Sequence, residues 1–319
     1  MRESLTEERE LQKQIAEEAQ VDHPASASPA VRAFQFFLVP LLIVGACVLV
    51  YSVLNWVVAN PRSATEWLND VKEGGLHTRQ HAALQLVQTI RRMNPPDLTL
   101  TPPIIALYRG TPEEVDPKEF NLHRLLATCL GYLRDPRACD LLVETIGSYK
   151  NMETRAAAVD ALGTIKDPRT LPDLVKLLDD KEAIVRKYAA FNVGAVAEKA
   201  GAEGRAGAVE ALKKKLDDPA SDVGWNAAFS LAYFLSDGSG TDTLKKMLDR
   251  KYLATRISAQ DPNEEELVAH TLVIASNAAV KLKDLSFLPL LKNLTDDKAE
   301  HNVEVRYAAH QAINKIQEK

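Results

Sequence analysis

The chain has 319 residues, 46% hydrophobic and 26% charged, enough apolar content for a large buried core and too much for disorder throughout. Its net charge of −5 divides unevenly, with four Lys/Arg against seven Asp/Glu in residues 1–33 and 35 against 37 beyond. Neither part is basic, which excludes a general nucleic-acid binder, and three cysteines are too few for a disulfide framework.

The acidic N-terminal part contains SLTEERELQKQIAEEAQ, which opens on a Ser4 to Glu7 capping-box pattern and continues in good helix formers. Only Leu11 and Ile15 give it an apolar stripe, so it reads as a solvated helix followed by the flexible stretch DHPASASPAVR.

Residues 34–59, FQFFLVPLLIVGACVLVYSVLNWVVA, are 26 positions without a formal charge. As a helix rising about 1.5 Å per residue they exceed the roughly 30 Å hydrocarbon core of a bilayer, so they are expected to form a single transmembrane helix. A secretory signal would have a basic start and a small-residue cleavage site close behind. Here acidic residues precede the run and Asn60-Pro61-Arg62 follows it. Phe34, Phe36, Phe37 and Trp56 suit the two interfaces, and Pro40 is tolerated within a span. Arg32 on one side is outweighed by Arg62 and Lys72 on the other, which points the C-terminal part toward the cytoplasm. Cys129 and Cys139, read as unpaired core residues, agree with a reducing compartment.

From residue 60 onward the sequence repeats. HRLLATCLGYLRDPRACDLLVETI (123–146) and RAAAVDALGTIKDPRTLPDLVKLL (155–178) align with L-G-x-apolar-basic-Asp-Pro-Arg intact, and LVIASNAAVKLKDLSFLPLLKNL (272–294) follows the same course. A second signature is Arg followed by small or apolar residues at plus three, four and seven. It begins at Arg79, Arg155, Arg186 and Arg306, and at residue 224 a glycine stands where the Arg belongs. Those offsets share one helical face, and small residues there let a neighbouring helix come close. The Asp-Pro turn suits the start of a second helix, with Asp as the cap and Pro in the first turn.

The fold expected is therefore all-α, an α-solenoid of about six antiparallel helix pairs. They fall near 64–108, 118–149, 152–179, 182–217, 221–249 and 264–295, with 302–317 as a capping helix. The domains expected are 1–33, an acidic, partly helical or disordered tail; 34–59, the transmembrane helix; and 60–319, the solenoid.

EVRYAAHQAINKI and TRAAAVDALGTIKDPRTLPDLVKLLDD resemble HEAT repeats of the short bacterial type found in phycobilisome lyases, over roughly residues 76–317. The resemblance implies a ladder in which first-helix arginines meet aspartates from neighbouring turns. Its candidate members are Arg155, Arg186 and Arg306 with Asp180, Asp218 and Asp297. It specifies fold more than function, since such superhelices mostly offer a surface to a partner.

No nucleophile elbow, Walker loop, HExxH or CxxC occurs, and no cofactor or metal is expected; His77 and His81 lack a third ligand at a recognised spacing. His123 takes the place of the repeat's Arg and reads as an inter-repeat contact. Two long insertions, 92–118 and 249–266, interrupt the repeats and are candidate recognition loops. The candidate partner-binding residues are Tyr188 and Trp225 on successive first helices and Arg250, Lys251 and Arg256 in the second insertion. The expected function is a membrane-anchored, single-pass, non-catalytic scaffold. It would bind the bilayer through residues 34–59, and a partner protein or membrane complex through its solenoid, but no nucleic acid. The alternative is a bilin-lyase-like or other HEAT-like enzyme that binds a small ligand.

Overall fold

The computed structural model of the chain describes residues 29–59, 62–113, 121–258, 261–298 and 300–318. The helix expected at 4–20 and its capping box lie outside them. Contacts divide the chain into two compact units, up to Arg62 and from Ser63 onward.

In the first unit, α1 (Pro29–Ala59) is an unbroken helix through Pro40. Its stretch Phe37–Asn55 is long and apolar enough to cross a membrane, and the side chains there are exposed apart from half-buried Leu38. At about 1.5 Å per residue, those 19 residues match the thickness of a hydrocarbon core.

The second unit is an α-solenoid, and its described residues contain no strand. Among the described residues seven first helices stack in chain order: α3 (Leu76–Arg92), α5 (Leu122–Leu133), α7 (Met152–Ile165), α9 (Ala183–Ala197), α11 (Ser221–Tyr233), α14 (Glu264–Leu282) and α16 (Val303–Gln317). Shorter second helices return along one side: α4 (Thr101–Gly110), α6 (Cys139–Ser148), α8 (Leu171–Lys176), α10 (Ala202–Lys213), α12 (Thr241–Met247) and α15 (Leu288–Asn293). Two helices stand outside the alternation. One is α2 (Ala64–Glu73), which packs on α3, so the first expected pair holds three helices. The other is α13 (Arg250–Ala254), inside the second insertion.

Repeat spacing explains the core. The residues three and four places after the Arg place, Ala82 and Ala83, Ala158 and Val159, Ala189 and Ala190, Ala227 and Ala228, are buried in the core. Cys129 and Cys139 are free thiols in this core, and burial pushes the Cys139 thiol up to about 11.

Four of the turns between paired helices follow from two residues. Arg134, Lys166, Ser236 and Lys283 adopt left-handed backbone, with φ between 51° and 58°, which ends the first helix. The next residue is Asp in all four. Asp135, Asp167, Asp237 and Asp284 each accept the N–H two residues on, starting the 3-10 turn that leads into the second helix. Arg169 then closes back on Asp167, with Nη2 2.5 Å from Oδ2. These hydrogen bonds outweigh desolvation and hold the Asp167 carboxyl below its ordinary value.

Asp167→Ala is expected to cost about 1 kcal/mol. Because the folded pKa is depressed, the carboxylate's contribution is complete above the unfolded value of about 3.9 and lost as pH falls through the folded value. Urea denaturation should show the gap between wild type and variant at full size near neutral pH and shrinking below about pH 4.

Candidate binding groove

The ladder residues hold adjacent repeats together. Arg155 pairs with Asp180, and Arg186 grips Asp218 through two bonds, Nε to Oδ2 at 2.9 Å and Nη2 to Oδ1 at 3.0 Å. All four side chains are at most 14% exposed. Each aspartate also caps the backbone two residues on, at Glu182 and Ala220. Burial raises the Asp218 carboxyl, and the bonds from Arg186 and the Ala220 N–H overcome this, leaving it below its ordinary value.

The arginines also reach backward. Arg79 Nε donates to the Val71 carbonyl, Arg155 Nε to Ile146, Arg186 Nη1 to Asp180 and Arg306 Nη1 to Glu300, all at 2.7–2.9 Å. His123, fully buried, places Nε2 3.1 Å from the Tyr108 carbonyl, so it makes the same backward contact in the place of an Arg.

Several expected residues take other places. Arg306 reaches Glu300 and not Asp297, which lies exposed; Glu300 stands six residues before Arg306, as Asp180 does before Arg186. Arg250 does not project toward solvent as a recognition residue. Its guanidinium bridges Glu300, at 2.7 and 2.8 Å, and Glu265, at 2.8 and 3.1 Å. Leu272 occupies the Arg place of α14, so Arg250 brings in from the insertion the cation that this repeat lacks. The first insertion does the converse. Tyr149 stands where the turn carboxylate belongs, and Glu113 reaches over to cap the Lys150 and Asn151 N–H groups.

Trp225 is 8% exposed within the core, so it fills a joint and does not stand out as a surface anchor. Lys251 and Arg256 are exposed, with Arg256 5.6 Å over the Tyr252 ring. Tyr188 is half-buried and lines a small depression of about 310 Å3.

That depression adjoins a larger groove of about 670 Å3, and Asp160 borders both. Counted from each Arg place, the bordering positions plus two, five and nine lie opposite the buried plus-three, four and seven positions. Tyr188, Asp160, Phe191 and Thr164 occupy them. The groove floor is rigid: Asn192, 1% exposed, donates to the Tyr188 carbonyl at 2.9 Å and to Asp160 Oδ1 at 3.5 Å. Its amide packs on Gly163, where a Cβ would stand 1.7 Å from Oδ1, so only glycine fits.

Phe191 stacks on Phe229 at 5.7 Å and meets Phe234 edge-on at 5.4 Å. Lys166 lies 5.3 Å over Phe234 and pairs with Glu198, while Arg134 and Lys199 stand at the groove's border. Asp160 is open to solvent between these walls. Their desolvation raises its carboxyl above the ordinary value, against the opposing pull of the Asn192 amide. Sequence reasoning missed Asp160, Phe191 and Asn192. Their common offset from the Arg place is the signal that marks the face.

Residues 116–194 match a family model described as HEAT repeats. No curated protein matches the chain. Among solved structures, the complex of CpcE and CpcF of phycocyanin lyase from Nostoc sp. PCC7120 matches with a TM-score of 0.51 at 19% identity, over 81% of this chain and 96% of that one. YibA of Escherichia coli gives 0.41 at 19% identity, over 84% and 97%. Human deoxyhypusine hydroxylase gives 0.36 at 17%, over 80% and 96%. The first of these likenesses shows the solenoid fold.

Proposed function

The chain carries HEAT repeats, and on that premise we propose that it is a membrane-tethered scaffold whose solenoid docks a partner protein. The observation that supports the tether is α1, with apolar side chains from Phe37 to Asn55 that are almost all exposed within their own unit. The tether commits the solenoid to work at a bilayer, with the cytoplasmic side favoured by Arg62 and Lys72 against Arg32. The docking surface is the face of the first helices around Asp160. Its carboxylate, amide, rings and ammonium groups form a set suited to recognition.

Two measurements test this reading. The full chain should stay with membranes through an alkaline carbonate wash, and a C-terminal reporter should be active only on the cytoplasmic side. A photo-crosslinking residue at Tyr188 in intact membranes should trap a discrete partner band, and the same residue at Glu210 on α10 should not. A protein released by the wash, or crosslinks indifferent to position, would refute the proposal.

The groove's volume also falls in the range of small-ligand sites, which supports a second reading as a ligand-binding relative of the phycocyanin lyases. A visible absorbance band on the purified protein would favour it.

A further inference from the structure

We infer that Asp160 and Phe191 form the seat for one basic side chain, a guanidinium or ammonium group, carried on an exposed segment of the partner protein that lies along the two grooves. This rests on the docking reading above and adds the chemistry of the partner.

The charge pattern selects a cation. Three carboxylates border the grooves or flank them. Glu153 faces Arg124 at 3.8 Å and Glu198 holds Lys166 at 2.8 Å. Asp160 has no cation within ion-pair distance among the described residues; its side-chain contact is the Asn192 amide. That amide is fixed by Tyr188 and wedged on Gly163, so the carboxylate is supported from behind and its open side faces the groove.

The rings repeat the pattern. Phe234 already carries Lys166, and Tyr233 carries Lys281 at 5.0 Å. Phe191 belongs to the same cluster and is held by Phe229 and Phe234, yet no cation of the described chain lies over it. A cation beside Asp160 can lay its aliphatic stem on the Phe191 ring and gain both attractions.

The border adds a second requirement. Arg134 and Lys199 have no ion-pair partner among the described residues, so an acidic residue beside the basic one is accommodated, whereas a uniformly basic segment is repelled. The two depressions meet at Asp160, so a segment occupying both must cross it.

The test uses the full chain in lipid nanodiscs and a random peptide library displayed on phage. Selected peptides are synthesised as such and with their Arg replaced by uncharged citrulline, then titrated against wild type, Asp160→Asn, Asp160→Lys and the remote control Glu210→Gln. Peptides should converge on a basic residue. Citrulline should weaken binding about tenfold and Asp160→Asn somewhat less, and in Asp160→Asn the difference between the two peptide forms should shrink to the share that Phe191 supplies. Asp160→Lys should abolish binding and Glu210→Gln leave it unchanged, with circular dichroism spectra matching wild type throughout.

Selection of peptides without a basic residue overturns the proposal, as does a selection that yields no binder. An Arg-to-citrulline difference that persists undiminished in Asp160→Asn also overturns it. Any of these can occur while the crosslink from Tyr188 still appears, in which case the docking reading stands and only the cation seat falls.

Discussion

Replacing Arg250 with methionine is expected to destabilise the C-terminal end of the solenoid by about 3–5 kcal/mol. Arg250 Nε and Nη2 are bonded to both carboxylate oxygens of Glu300, whose side chain is completely buried. Glu300 also caps the Asn302 N–H, so it is fixed in place and cannot turn toward water when its cation is removed. The loss therefore includes the cost of an uncompensated buried charge. Glu265, on the outer side of the same guanidinium, is 58% exposed, and Glu265→Gln should cost no more than about 1 kcal/mol. The contrast between two carboxylates on one arginine isolates burial as the cause. Because a repeat stack is coupled mainly through nearest neighbours, the damage should stay local. Amide hydrogen exchange should accelerate in α15 and α16 and remain unchanged in α5 and α7. The double replacement Arg250→Met with Glu300→Met should recover most of the loss, since a buried ion pair and an apolar pair of similar size are close in free energy. Equal effects of Arg250→Met and Glu265→Gln would show that the guanidinium contributes only a surface contact.

The difference between what the sequence discloses and what it conceals has a physical basis. Burial is periodic, so the helices, their pairing and the Asp-capped turns could be read from the pattern that 123–146 and 155–178 share. The outer face is not constrained by the repeat's packing rule, and residue type there changes from repeat to repeat: Thr128, Asp160 and Phe191 share one offset and no chemistry. A face of that kind has a position in the sequence and no signature. The insertions were concealed for another reason. Glu113 and Arg250 complete contacts that Tyr149 and Leu272 leave open, and each crosses 37 residues or more to do so. Neither lies inside a repeat, so no alignment of repeats brings it forward. Glu300 escaped although it keeps the six-residue spacing to Arg306, because Asp297 was the match by residue type.

Gly224→Arg restores the residue that the repeat pattern requires, and it is expected to destabilise the protein by about 3 kcal/mol. Consensus reasoning gives the opposite sign, since glycine inside a helix costs about 1 kcal/mol against a good helix former. The local geometry decides between them. A Cβ on Gly224 would stand 2.7 Å from the Leu216 carbonyl oxygen and 3.5 Å from that of Lys215. The obstacle is backbone, so no rotamer change relieves it and α11 must move away from the preceding turn. In five of the other first helices an Arg or His side chain bridges back to such a carbonyl. At this joint the carbonyl has come in to fill the space itself. Gly224→Ala should be the milder case, with the gain in helix propensity offsetting part of the clash. Denaturation midpoints followed by circular dichroism and by the fluorescence of buried Trp225, next in sequence, measure both the global loss and its location. A Gly224→Arg protein as stable as wild type would mean that the turn at Leu216 yields at little cost, and that the missing arginine is an accident of the repeat and not a requirement of the joint.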